Sequence, residues 1–176
     1  FQEVSGVAAV REALGPAAGD YEVCSFSGYK IQRLAFAWRK ALGPSVGACQ
    51  DFRELSLPHL PPKDQVRPGF AVTLQVAGQR IRFLTLHLKS ACVSPLDKGR
   101  LDGSRSPNDP CPILQQQVAP LEALIEGLPH GVDHVVVLGD FNRNLGHEAA
   151  RVQGAEPVRS DGSTRLDRPR APEVLT

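Results

Sequence analysis

The chain has 176 residues, 41% of them apolar, and a formal net charge of +1. That suffices for one domain with a packed core, and it is too neutral for a scaffold that holds polyanions by bulk charge. No run is long and apolar enough to span a membrane, and the lack of any methionine, even at position 1, reads as a processed chain or a fragment whose signal peptide would not be visible.

Residues 4–14 predict a short helix, with Val7, Val10 and Leu14 at helical spacing and Gly15-Pro16 to stop it. Strands are predicted over 21–26 and 33–39, the second with Leu34, Phe36 and Trp38 on one face, followed by a turn at Gly43-Pro44. Four prolines at 58, 61, 62 and 68 make 56–69 an irregular connection. Phe70, Val72, Leu74 and Val76 then alternate with smaller or polar residues, Ala77-Gly78-Gln79 supplies a turn, and 80–88 returns as the second strand of a hairpin. On that return strand Ile81, Phe83, Thr85 and His87 share a face, and Leu84, Leu86 and Leu88 share the other.

Four cysteines, Cys24, Cys49, Cys92 and Cys111, are widely spaced with no C-x-x-C pair, which argues against a zinc site. Cys92 and Cys111 bracket a loop at 93–110 rich in Pro, Ser, Asp and Gly. A disulfide closing it would contribute about 3 kcal/mol through the entropy of the unfolded chain. An even count and a loop that needs a staple favour an exported, periplasmic or secreted protein; four buried thiols in a cytoplasmic enzyme is the alternative.

After the loop, Leu114, Val118, Leu121, Ile125 and Leu128 mark an apolar helical stripe, inside which Pro120 should kink the helix or shift its start. The run Val135-Val136-Val137-Leu138 predicts a strand buried on both faces. It leads into Gly139-Asp140-Phe141-Asn142. If the strand alternation continues, Asp140 and Asn142 point at one small volume while Phe141 points away, a polar pair suited to a hard cation and a phosphate ester. Ordinary turn chemistry is the other reading of Gly, Asp and Asn. From 143 onward the periodicity dissolves.

Three other positions can carry chemistry. Glu3, just before the first helix, can ligate Mg²⁺ or simply favour the helix dipole. His87 ends a strongly apolar strand, where a functional imidazole or a structural one would both fit. Lys89 and Ser90 could touch phosphate oxygens, though a solvated lysine at a strand end needs no such role. His59, His130, His134 and His147 read as surface residues. No nucleophile elbow, Walker loop or His-Glu-x-x-His helix is present.

Gln2-Glu3-Val4, then a hairpin running into Leu86-His87-Leu88-Lys89-Ser90, then a helix and Val135 through Gly139-Asp140-Phe141-Asn142-Arg143, occur in an order that resembles the endonuclease/exonuclease/phosphatase superfamily, which includes deoxyribonuclease I and the apurinic endonucleases. The resemblance spans roughly residues 1–143. It implies an α/β (α+β) fold, a partial four-layer sandwich of two mixed β-sheets flanked by helices. It also implies that Glu3 and Asp140 hold Mg²⁺ or Mn²⁺, that His87 contacts the phosphate region, that Asp140 lies near the attacking water, and that Asn142 holds a phosphate oxygen. The chemistry implied is metal-assisted in-line attack of water on a phosphoester. The cysteines around the loop after His87 resemble those of a bacterial, exported branch.

Two family features are missing: an amino-terminal strand carrying an asparagine, and a late Asp-His motif, since the one Asp-His pair, Asp133-His134, precedes the Val135-Leu138 run and none follows Asn142. Arg165-Leu166-Asp167 matches the late aspartate only by coincidence. The resulting expectation is a partial domain over 1–148, truncated at both ends, and an irregular or disordered tail over 149–176 that starts a missing carboxyl-terminal part. The parent would be a phosphoester hydrolase, a nuclease or phosphodiesterase with nucleic acid among its candidate substrates, and this fragment would be inactive. A phosphomonoesterase on lipid or inositol phosphates, and a non-catalytic relic or binding module, are the alternatives. The oligomeric state is unassigned.

Overall fold

Alternation of apolar residues on either side of Ala77-Gly78 builds the centre of the larger sheet. The computed structural model describes residues 1–26, 32–92, 99–100, 102–104 and 106–143. The tail at 149–176, His147, the Arg165-Leu166-Asp167 stretch and the boundary at 148 lie outside the described residues. Those described form two compact units, Phe1–His87 with Pro120–Phe141, and Leu88–Ala119 with residues 142 and 143.

In the first unit, helix α1 (Val7–Leu14) precedes strands β1 (Tyr21–Ser25) and β2 (Ala35–Arg39), which pair antiparallel as one sheet. The second sheet has the order β3-β4-β5-β6, built from Gln50–Phe52, Gly69–Val76, Gln79–His87 and His134–Asp140. Its first two pairings are antiparallel and the β5–β6 pairing is parallel, so the sheet is mixed. The β4–β5 turn is two residues long. Ala77 at φ 50° and Gly78 at φ 83° both take positive values, as the tight turn matching strand twist demands.

The two sheets face each other. Phe26, Leu34 and Phe36 from the smaller sheet pack with Phe70, and Trp38 packs with Val72 and Leu74, with Phe83 and the half-buried Cys24–Cys49 bridge beside them. On the opposite face of β5, Arg82 donates to the Leu128 carbonyl at 2.9 Å, placing the end of helix α3 (Val118–Gly127) there. Helix, sheet, sheet and helix give the α+β sandwich that the sequence implied.

Four features depart from the sequence reading. Helix α1 starts at Val7 rather than at 4, because Gly6 sits at φ 138° and the chain before it pairs with β2. Strand β3 was not anticipated; three residues carry no periodicity. The stripe at 114–128 divides into α2 (Cys111–Gln116) and α3, with Pro120 in the first turn of α3 where its missing N–H costs nothing, and Ile125 exposed. The largest correction concerns β6, which is not buried on both faces. Among the described residues it pairs only with β5, and the two-stranded sheet covers β4 and β5 instead. Val136 and Leu138, on the inward face, are therefore 38% and 39% exposed.

The second unit is organised by the Cys92–Cys111 disulfide, with both cysteines buried. Inside the loop Arg100 pairs with Asp109 at 2.7 Å, and Asp109 accepts the Cys111 N–H at 2.9 Å. Gln117, fully buried, accepts the Lys89 N–H at 2.8 Å through its side-chain oxygen, tying the exit of the β5 segment to the α2 end. The bridge spans 19 residues. Replacing Cys92 and Cys111 together by serine should lower the unfolding free energy by about 3 kcal/mol, read from the urea midpoint at unchanged slope.

Candidate active site

Parallel pairing sets β5 and β6 side by side with Leu86 opposite Gly139 and His87 opposite Asp140. Residues opposite each other on neighbouring strands project to the same face, so the imidazole and the carboxylate emerge together at the strands' carboxyl ends. His87 Nε2 lies 3.9 Å from Asp140 Oδ2. The alignment needs Gly139. Its φ is 134°, and a Cβ there would run into the Leu86 backbone oxygen and the Gln2 amide nitrogen.

Glu3 arrives from the other sheet. Phe1 and Ala35 exchange backbone hydrogen bonds, as do Val4 and Arg33. Three steps on the first segment therefore match two on the second, and the surplus residue forms a β-bulge. Glu3 sits in that bulge at φ 57°, a left-handed conformation costing a non-glycine residue about 1 kcal/mol. Gln2, beside it, donates to the Leu86 carbonyl at 2.7 Å and so joins the bulge to β5. The result is Glu3 Oε1 at 3.9 Å from the same His87 Nε2.

Arg67 and Gln32 complete the group, and the sequence reading named neither. Arg67 donates through Nε to the Gln32 carbonyl at 3.1 Å and through Nη2 to the Gln32 side-chain oxygen, and it lies 3.6 Å from Glu3 Oε1. Gln32 Nε2 donates to Glu3 Oε1 at 3.3 Å. The signal that could have found Arg67 is hairpin register. Continuing the pairing past Phe70 opposite Thr85 brings residues 67 and 68 to His87.

His87 is buried, and burial lowers its pKa below the ordinary 6.5; Arg67 lowers it further, while Asp140 and Glu3 act in the opposite sense. The ring is neutral at pH 7. Nδ1 is buried without a hydrogen-bond partner, so Nε2, which faces both carboxylates, is the nitrogen that works outward. At 3.9 Å these are not direct hydrogen bonds; the spacing leaves room for a bridging species.

Glu3 and Asp140 are 52% and 50% exposed. Among the described residues no group of three His, Cys, Asp or Glu side chains is arranged to hold a metal. Two hard carboxylates nevertheless suit Mg²⁺ or Mn²⁺, since Mg²⁺ is ordinarily bound through one or two carboxylates with waters and substrate phosphate. Asn142 does not continue the strand alternation. Strand β6 ends at Asp140, Asn142 takes φ 50°, and its side-chain nitrogen donates to the Leu88 carbonyl at 2.8 Å within the second unit. His59, His130 and His134 are exposed, as expected.

No protein-family model and no curated protein sequence matches the chain. Solved structures do. D. rerio TDP2 complexed with a single-strand DNA product superposes with a TM-score of 0.54 at 17% identity, over 88% of this chain and 50% of that one. A humanized D. rerio TDP2 gives 0.54 at 18%, over 89% and 52%. ANGEL2, a 2′,3′-cyclic phosphatase in complex with adenosine-2′,3′-vanadate, gives 0.57 at 21%, over 89% and 43%. These structures belong to the endonuclease/exonuclease/phosphatase superfamily that the sequence resembles. The likeness is one of fold. The chain spans about half the length of the structures it matches.

Gly139→Ala should destabilise the protein by about 3 kcal/mol in denaturant melts, because backbone rather than a flexible side chain blocks the new methyl and positive φ adds strain. The lowered His87 pKa also makes stability depend on pH. On acidification the unfolded chain takes up this proton first, near 6.5, and the folded chain only at lower pH. Stability from this group is full above 6.5 and is lost as pH falls toward the lowered folded value. His87→Gln should flatten that part of the stability–pH curve, and the ring should titrate below 6.5 by NMR.

Proposed function

We propose that the chain carries the glutamate–histidine–aspartate part of the active site of a divalent-metal-dependent phosphoester hydrolase. The observation that carries this reading is the convergence of Glu3, His87 and Asp140, from three separate stretches of sequence, around one imidazole nitrogen. Backbone strain at Glu3 supports it, since strained positions cluster where a side chain has to be aimed.

Glu3 and Asp140 are the residues that would hold Mg²⁺ or Mn²⁺, which when bound would neutralise negative charge developing on the phosphoryl oxygens. His87, neutral with Nε2 outward, would donate to a phosphate oxygen. Asp140 would in addition orient the attacking water. Asn142 enters on its motif alone, as a donor to phosphate.

For the substrate we favour a phosphodiester, in nucleic acid or a smaller molecule, over lipid or inositol monoesters. The structures of similar fold include one with a DNA product and one described as a 2′,3′-cyclic phosphatase. Two disulfides fit an oxidising compartment, and we place the protein outside the cytoplasm. The one Asp-His pair, Asp133-His134, lies before β6 rather than late in the chain, which favours a second reading, a phosphate-binding module without turnover, and we expect hydrolysis by these 176 residues to be at or near background.

Mn²⁺ titration followed by electron paramagnetic resonance, beside hydrolysis of bis(p-nitrophenyl) phosphate, tests both. Wild type should bind Mn²⁺, and Glu3→Gln and Asp140→Asn should each weaken binding about tenfold or more. Binding that survives both substitutions would refute the metal site. Robust turnover lost in Asp140→Asn would establish the hydrolase and overturn the expected inactivity.

A further inference from the structure

We propose that Arg67 is an internal stand-in for the cation at Glu3, a guanidinium that a divalent ion has to displace. The inference rests on the metal-site reading above and adds a regulation of that site. Three nitrogens already surround Glu3 Oε1: Gln32 Nε2 at 3.3 Å, Arg67 Nη2 at 3.6 Å and His87 Nε2 at 3.9 Å. A cation approaching this oxygen meets the positive charge of Arg67 first.

Arg67 is built to give way without leaving. Its side chain is only 14% exposed, its Nε donates to the Gln32 backbone carbonyl, and its Nη2 donates to the Gln32 side-chain oxygen, so two bonds to Gln32 hold it besides the contact to Glu3. The contact to Glu3, by contrast, is longer than a hydrogen bond and half in solvent, so it is electrostatic and exchangeable. A divalent ion at about 2.1 Å from a carboxylate oxygen holds it more strongly than a guanidinium at 3.6 Å. Once exchanged, the guanidinium remains anchored on Gln32, its charge available to the anion that accompanies the metal.

A purely structural role predicts the opposite sign. If Arg67 only held Glu3 in its bulge, removing it would misplace the carboxylate and weaken metal binding. As a stand-in, its removal strengthens binding. Mn²⁺ affinity of the 176-residue chain should therefore rise about two- to fivefold in Arg67→Met and stay near wild type in Arg67→Lys, which keeps the charge. Equal or weaker binding by Arg67→Met overturns the proposal. Should Arg67→Met fail to fold, ¹⁵N guanidinium NMR of wild type replaces it. Saturation with Mg²⁺ should shift the Arg67 Nη resonance and leave Nε, bonded to Gln32, in place; an unmoved Nη with Mg²⁺ bound overturns the proposal. Glu3→Gln separates the two claims. Mn²⁺ binding indifferent to Glu3→Gln defeats the metal site itself, whereas Glu3-dependent binding without the Arg67 effect defeats only the stand-in.

Discussion

Register between β5 and β6 is the constraint on which the site depends, because a parallel pair has no short turn to fix it. Pairing runs from Ile81 opposite His134 to His87 opposite Asp140. A slip of one residue would reverse the faces and send Asp140 away from the imidazole. Hydrophobic choice alone is weak here, since Val135, Val136, Val137 and Leu138 are nearly equivalent and two of them are exposed. Gly139 supplies the missing discrimination: only a residue without a side chain fits against Leu86 with the Gln2 amide beside it.

The second sheet reaches the same point by a different device. A regular strand through residues 1–4 would alternate side chains on a fixed period. The bulge breaks that period at Glu3, and the strain is held by the Gln32 bond to Glu3 and the crossing of Gln2 to β5. One sheet thus positions His87 and Asp140 by regular pairing, and the other positions Glu3 by a local departure from it. Both sheets belong to one compact unit, so the three groups are carried by the same unit.

What could be read from the sequence follows from which interactions are local. The β4–β5 hairpin was legible because alternation and a two-residue turn are both written in adjacent residues. Pro120 was legible as a kink or a shifted start in the helical stripe for the same reason, though not the division into two helices. Exposure of β6 was not, since an apolar run has the same composition whether or not a second sheet covers it. Glu3, His87 and Asp140 stood out because order and motif single them out together. Gln32 acts through contacts with segments tens of residues away, and nothing in its neighbours marks it; Arg67 follows only from continuing the hairpin register into a proline-rich connection. Asn142 was placed by extending strand geometry one step beyond the point where the strand stops.

The two disulfides also bear on how the chain reaches this state. Four cysteines allow three pairings. The observed one links Cys24 with Cys49 and Cys92 with Cys111, at separations of 25 and 19 residues, and each bridge is internal to one unit. Both other pairings close longer loops, and closure entropy grows with loop length. Random oxidation of the unfolded chain is thus biased toward the native connectivity before any tertiary structure forms. The two loops do not overlap along the chain, so the bridges can form in either order, and reshuffling by an isomerase is not a requirement of this connectivity.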